Sequence, residues 1–197
     1  MRLKVPCPVV LASSSPERRR LLATLVERFE VVEPLVDESG LTAGSPEEVV
    51  CARACAKAEE VAARRAGALV VAADTVAECC GRLIGKPRDL AHAAGILAML
   101  GEHPHRVITG VCVIAPDGRR VECVSVARLR MRRLGREEID DYVRHHDVLG
   151  RAGGYAIEED DPNVQSLEGS RSAVMGLPVE ELEAIMQSIF PDNGLRP

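Results

Sequence analysis

Asp74 and Lys86 are the residues of this chain whose types and setting most directly suggest chemistry. Asp74 closes an apolar run, Ala68-Leu69-Val70-Val71-Ala72-Ala73, of the kind that forms a strand buried on both faces. A carboxylate at the mouth of such a strand is costly unless water, a metal or a cation offsets its charge. Lys86 follows inside Gly85-Lys86-Pro87, where Gly and Pro fix a turn that aims one ammonium group. One carboxylate and one lysine on rigid supports suit a metal-assisted reaction on phosphates. The plainer alternative is a strand-end Asp beside a loop Lys, both solvated.

Two further stretches could hold an anion. Val9-Val10-Leu11-Ala12 reads as a strand, followed by Ser13-Ser14-Ser15-Pro16-Glu17-Arg18-Arg19-Arg20. Ser15 suits an N-cap and Pro16 the first helical residue, so a helix is predicted to start there, with Leu21, Leu22, Leu25 and Val26 at helical spacing. A Ser-rich turn at a helix N-terminus offers backbone N–H groups and hydroxyls to an anion, although a capped helix with a solvated arginine run has the same appearance. Near the C-terminal end, Gly150-Arg151-Ala152-Gly153-Gly154 lets backbone approach a ligand closely, with Arg151 adding charge.

The elements that must position these groups follow from periodicity and punctuation. A second strand is expected over Phe29–Glu33, ending near Asp37-Glu38. Ser45-Pro46-Glu47-Glu48 opens a helix with Val50, Ala54, Ala58 and Val61 on one face. Cys80-Gly81-Arg82 reads as a hairpin turn returning to Gly85. Leu90, Ala93, Ala94, Leu97 and Ala98 mark a third helix. Val-rich runs over 106–115 and 119–131 flank Pro116-Asp117-Gly118, a strong hairpin signal. A short helix is expected around 137–144, and a closing helix carries Val179, Leu182, Ile185 and Ile189. Alternating strands and helices with inserted hairpins predict an α/β domain with a mixed sheet over residues 1–190 and a loose tail over 191–197.

Composition narrows the function. A hydrophobic content of 46% supports a full core, but aromatics are 2% with no Trp, which argues against base stacking on nucleic acid. A net charge of −5 argues against a general polyanion binder. The seven cysteines lack a C-x-x-C pair and fit a reduced, cytoplasmic chain better than a disulfide scaffold. A zinc site from Cys51, Cys55, His103 and His105 has no diagnostic spacing. No stretch reads as a signal peptide or membrane span.

Taken in order, S-S-S-P-E-R-R-R-L-L (13–22), A-D-T-V (73–76), G-K-P (85–87), H-R-V-I-T-G-V (105–111), A-G-G-Y-A-I (152–157) and V-M-G-L-P (174–178) resemble the Maf family. The resemblance implies a nucleoside triphosphate pyrophosphatase, splitting a triphosphate between the α and β phosphates to the monophosphate and pyrophosphate. It further implies an elongated α/β fold similar to inosine triphosphate pyrophosphatases, with a long twisted mixed sheet, a cleft between two lobes, and homodimers. A divalent cation, Mg²⁺ or Mn²⁺, is the implied cofactor, and a small-molecule nucleotide the implied partner.

By the same resemblance, Asp74 is the proton acceptor and a metal anchor, Glu38 the second metal anchor, and Lys86 the phosphate-facing lysine. Ser13, Ser15 and Arg18 belong to the helix-start motif, and Arg151 keeps the charge of the family's D-K-A-G lysine. Glu17, Thr75 and Glu158 are the specificity positions. Glu17 stands where Arg or Trp is usual, Thr75 looks like the pyrimidine branch, and Glu158 matches a branch resembling 7-methyl-GTP pyrophosphatases. Glu158 thereby implies a guanine-type or modified base, since a carboxylate bridges the adjacent N1–H and N2–H donors of guanine. The helix motif A-x-x-K-A, placed on Ala52-Arg53-Ala54-Cys55-Ala56, substitutes Cys55 for its lysine, with Arg53 and Lys57 pointing elsewhere. Loss of basic groups at Glu17 and Cys55 motivates an alternative, a catalytically weak nucleotide-binding regulator of cell division.

Overall fold

The computed structural model describes residues 2–150, 152–155, 157 and 162–191. In chain order these form β1 (Val9–Ala12), α1 (Pro16–Leu25), β2 (Glu30–Val32), α2 (Pro46–Arg64), β3 (Leu69–Cys79), β4 (Arg82–Ile84), α3 (Leu90–Glu102), β5 (His105–Ile114), β6 (Arg120–Met131), α4 (Arg136–His145), a single 3₁₀ turn (Ala152–Gly154), β7 (Val164–Glu168), α5 (Arg171–Val174) and α6 (Val179–Ile189). The strands make one seven-stranded mixed sheet in the order β2-β1-β3-β5-β6-β7, with β4 also paired to β3. None of the described helices is long and apolar enough to cross a membrane.

The helix starts obey the local chemistry of the sequence. Ser15 caps α1, its Oγ accepting the Arg18 N–H at 3.3 Å. Ser45 and Glu48 form a reciprocal capping box on α2. The β3–β4 turn places Cys80 at φ 52° and Gly81 at φ 71°, the left-handed pair that matches strand twist in a tight hairpin. β7 and α5 were not legible beforehand, because neither carries a long periodic run.

Alternation along β3 separates two faces. Val70 and Ala72 pack under α2 with Ala54, Ala58 and Val61. Leu69, Val71 and Ala73 face α1 and α6 through Leu22, Leu25, Leu182 and Met186. At the far end the second face is covered instead by α3, where Ala77 and Cys79 meet Ile96 and Leu100. The core therefore divides into two lobes joined by strands β3, β5 and β6. At roughly 3.3 Å per residue, strands of 10 to 12 residues give the sheet a length of about 35 Å.

One expectation is corrected here. The strand ending in Ala73 does not stop at Asp74 but continues to Cys79. What stops is its neighbour. β1 pairs with β3 only as far as Ala12↔Ala72, and β4 begins at Ala77↔Ile84. Among the described residues Ala73, Asp74, Thr75 and Val76 thus have no strand beside them on that edge, while β5 pairs them on the other. The sheet carries a notch where parallel pairing gives way to antiparallel.

Candidate active site

The notch lies just beyond the C-terminal ends of β1 and β2, where open α/β sheets present their ligand crevices. Ser13 to Arg18 enter it from β1, and Glu38 from the segment after β2. Asp74 and Thr75, being adjacent on a strand, point to opposite faces of its rim.

On the α2 face Asp74 is 7% exposed. Lys57, also 7% exposed, donates to its Oδ1 at 2.7 Å and reaches Glu38 Oε1 at 2.9 Å. Arg53, one helical turn before Lys57, puts Nη1 3.6 Å from Asp74 Oδ2 and donates through Nε to the Leu41 carbonyl at 3.0 Å. That bond ties the loop carrying Glu38 to α2. Asp74 Oδ2 itself is buried without a hydrogen-bond partner. Two carboxylates, one with an unsatisfied buried oxygen, lie across a single ammonium from each other.

Backbone contact makes this arrangement possible. Gly110 is the β5 partner of Asp74, and a Cβ there would lie 2.7 Å from the Val50 carbonyl carbon and 2.8 Å from the Cys51 nitrogen. With no side chain at Gly110, α2 rests directly on the sheet, and its Arg53–Lys57 side reaches the rim.

On the opposite face a directed hydrogen-bond chain runs from α1 to α5. Arg18 donates through Nε to the Gly176 carbonyl at 2.9 Å and through Nη2 to Thr75 Oγ1 at 3.2 Å. Thr75 and Thr109 hydroxyls are 2.9 Å apart, and Thr109 donates to the Ala173 carbonyl at 2.7 Å. A hydroxyl has one proton, so Thr75 must donate to Thr109. Arg18 Nη1 also lies 3.5 Å from Ser13 Oγ, which accepts the Ser15 N–H at 3.1 Å. Burial pulls the Arg18 guanidinium below its usual value, and the charges of Asp74 and Glu38 oppose that pull. Thr75 also borders a pocket with Ala77, His105, Val107, Tyr155 and Ile157, between the two lobes on this face.

The structure thus gathers Ser13, Ser15, Arg18, Glu38, Asp74 and Thr75 around the notch. Lys86 stands apart, exposed on the β4–α3 connection, with no ion pair to a described residue. Its neighbour Gly85 accepts the Gly153 N–H at 3.1 Å, which sets Lys86 beside the Gly-rich loop of the far lobe. Glu17 lies half-buried in the first turn of α1. Arg151 and Glu158 lie outside the described residues.

The expectation that Arg53 and Lys57 point elsewhere is overturned. Both face Asp74, whereas Cys55 turns to Cys112 and Glu122, and burial pushes its thiol up to about 11. The motif was set two residues early. Read on Ala54-Cys55-Ala56-Lys57-Ala58, A-x-x-K-A keeps its lysine. Residue spacing held the signal, because Lys57 lies on the same stripe as Ala54, Ala58 and Val61. Thr109 and Gly110 sat unread inside the H-R-V-I-T-G-V stretch. Among the described residues no group of three His, Cys, Asp or Glu side chains could hold a metal. The two-carboxylate arrangement nevertheless fits Mg²⁺, which is commonly held by one or two carboxylates together with substrate phosphates, and Asp74 Oδ2 accepts no hydrogen bond that a metal would have to replace.

A family model described as Maf-like protein matches residues 8–189. The dTTP/UTP pyrophosphatase of Novosphingobium aromaticivorans is 40% identical over 182 residues, covering 91% of this chain and 90% of its own. The dTTP/UTP pyrophosphatase of Salinibacter ruber is 37% identical, covering 96% and 95%. The nucleoside triphosphate pyrophosphatase of Anaplasma phagocytophilum is 38% identical, covering 92% and 95%. Among solved structures, the Staphylococcus aureus Ham1 protein gives a TM-score of 0.45 at 17% identity over 63% of this chain and 71% of its own.

Proposed function

The chain belongs to the Maf-like family, and from that premise we propose that it is a nucleoside triphosphate pyrophosphatase working in the sheet notch. The observation that carries the reading is the Asp74–Lys57–Glu38 cluster set beside the Ser13–Arg18 turn. A polyphosphate is a chain of anionic oxygens. The notch offers it Lys57, Arg53, Arg18 and the N-terminus of α1 within one crevice.

In this reading the phosphates lie between the α1 turn and the Lys57–Arg53 stripe, Lys86 meets them from the far lobe, and Arg151 adds a further positive charge. Asp74 Oδ2, buried and accepting no hydrogen bond, accepts a proton from a water directed at phosphorus, and pyrophosphate leaves from the α–β bridge. Arg18, fixed by Gly176 and Thr75, is preorganised toward the phosphate charge and loses little freedom on binding. Asp74 and Glu38 are the residues that would hold Mg²⁺ or Mn²⁺. When bound, the ion supplies neutralisation of the charge that develops on the phosphate oxygens.

The weak-regulator alternative rested partly on the basic group missing at Cys55, and Lys57 removes that motive. For the base, Thr75 and the names of the relatives support thymine or uracil, whereas Glu158 supports a guanine-type ring. The nucleotide is free rather than polymeric, in keeping with 2% aromatics. The seven unpaired cysteines support a reducing cytoplasm. Pyrophosphate release measured over UTP, dTTP, GTP and modified triphosphates, with Mg²⁺ and with Mn²⁺, tests all of this. Turnover of any triphosphate is expected. Binding without turnover of any of them would sink the enzyme reading.

A further inference from the structure

Lys57 occupies the place where a cation shared by Asp74 and Glu38 would sit. Its Nζ lies 2.7 Å from Asp74 Oδ1 and 2.9 Å from Glu38 Oε1. A divalent ion held by Asp74 and Glu38 would have Lys57 as a like charge only a few ångströms away, so ammonium and metal oppose each other's binding there. We propose that Lys57 closes the carboxylate pair to a free divalent ion and releases it only when the ion arrives with a polyphosphate, so that metal and nucleotide bind as one unit. The proposal rests on the notch being the triphosphate site, as argued above.

Charge and geometry carry this together. Around the notch the described carboxylates Asp74 and Glu38 face three cations, Lys57, Arg53 and Arg18. A free divalent ion would have to displace cations already paired with these two carboxylates, in a half-buried crevice where the screening of bulk water is reduced. A metal–polyphosphate brings an excess of negative charge with which the displaced cations can pair. Lys57 is also suited to the exchange. An ammonium has three donors, and among the described residues Lys57 uses one in a hydrogen bond to Asp74 while Glu38 is its ion-pair partner. The flexible four-carbon stem lets its ammonium swing toward phosphate while α2 stays seated on Gly110. Arg53 is not the exchanging group, because its Nε is bound to the Leu41 carbonyl and its guanidinium holds the Glu38 loop. Asp74 Oδ2, which accepts no hydrogen bond and has only the 3.6 Å contact with Arg53 Nη1, is the carboxylate oxygen that Lys57 does not hold.

The test is Mn²⁺ binding, followed by electron paramagnetic resonance and calorimetry, with α,β-methylene-UTP as the non-hydrolysable probe. The unmodified protein should bind the Mn²⁺–nucleotide complex and show little affinity for Mn²⁺ alone. Lys57→Met should acquire Mn²⁺ affinity without nucleotide, tighter by about tenfold or more, a coupling of ordinary size. Lys57→Arg, which keeps the charge, should stay closed, and Glu38→Gln added to Lys57→Met should cancel the gain. Equal Mn²⁺ affinity in the unmodified protein and Lys57→Met overturns the proposal. If Lys57→Met does not fold, the unmodified protein decides, since metal and nucleotide that bind independently of each other overturn it as well. Pyrophosphate release separates the two readings. Hydrolysis without the Lys57→Met gain ends the exchange alone, whereas metal–nucleotide synergy without hydrolysis ends the enzyme reading alone.

Discussion

At the residue scale the chemistry converges on one carboxylate. Asp74 takes a hydrogen bond from Lys57 on Oδ1, whereas Oδ2 accepts none and has only the longer ion-pair contact with Arg53 at 3.6 Å, so its two oxygens have different work. Asp74→Asn preserves shape while removing charge and basicity. It is expected to lower pyrophosphate release by about 10²-fold or more with the circular dichroism spectrum unchanged. Near-normal turnover would reduce Asp74 to a structural partner of Lys57. The residue was legible from the sequence because an apolar strand rarely carries a carboxylate without a use. Its partner Lys57 was not, because a lysine on an otherwise apolar stripe reads as either solvated or misplaced until its neighbour is known.

At the element scale the decisive contact is α2 on β5. Gly110 lets the helix backbone touch the sheet, and that closeness sets the height of the Arg53–Lys57 stripe above Asp74. Gly110→Ala would push a methyl group into the Val50 carbonyl region at 2.7 Å. We expect a loss of about 1–3 kcal/mol in denaturant unfolding, from overpacking against backbone that cannot yield, together with a fall in turnover from the displaced lysine. An unchanged unfolding midpoint would mean that α2 shifts freely. The same contact explains why Cys55 is no substitute for a lysine, since it faces Cys112 and Glu122 in the helix–sheet seam.

At the scale of the whole molecule the proposed site spans two lobes. The Asp74 cluster belongs to the lobe built on α1, α2 and α6, and Lys86 to the lobe of α3 and the Gly153 turn. Lys86→Ala should therefore weaken α,β-methylene-UTP binding while leaving thermal stability alone, and Lys86→Arg should restore it only in part, because a planar fork needs different room from a point charge. Identical nucleotide affinity in all three proteins would exclude Lys86 from the site. The lobes also share a pH dependence through His105, which is buried where β3 and β5 run into the far lobe. Burial lowers its pKa from the usual 6.5, and a hydrogen bond to the His103 backbone partly opposes this. The folded state then favours neutral imidazole, and the unfolded chain binds the extra proton. Stability from this group is present above about pH 6.5 and declines as pH falls from there toward the lowered folded value. In urea titrations between pH 7.5 and 5.5, His105→Asn should lose less of its midpoint than the unmodified protein. Parallel losses would show that His105 does not titrate in that window.

The sequence alone determined most of the elements and pointed to several residues of the crevice. Helix caps at Ser15 and Ser45, the Cys80-Gly81 and Asp117-Gly118 turns, and the alternating strands are local events, set by backbone geometry within a few residues. Asp74 and the Ser13–Arg18 turn were read from residue type and order, whereas Glu38 and Thr75 came from the resemblance to the Maf family. What only the tertiary structure decided was which groups meet. The notch exists because β1 ends at Ala72 and β4 starts at Ala77, a matter of two strands sharing one edge of a third. The face to which Lys57 turns depends on how closely α2 approaches Gly110, and the direction of the Arg18–Thr75–Thr109 chain depends on a carbonyl in α5 that is 64 residues from Thr109. Such pairings are fixed by long-range packing, to which local propensity is blind.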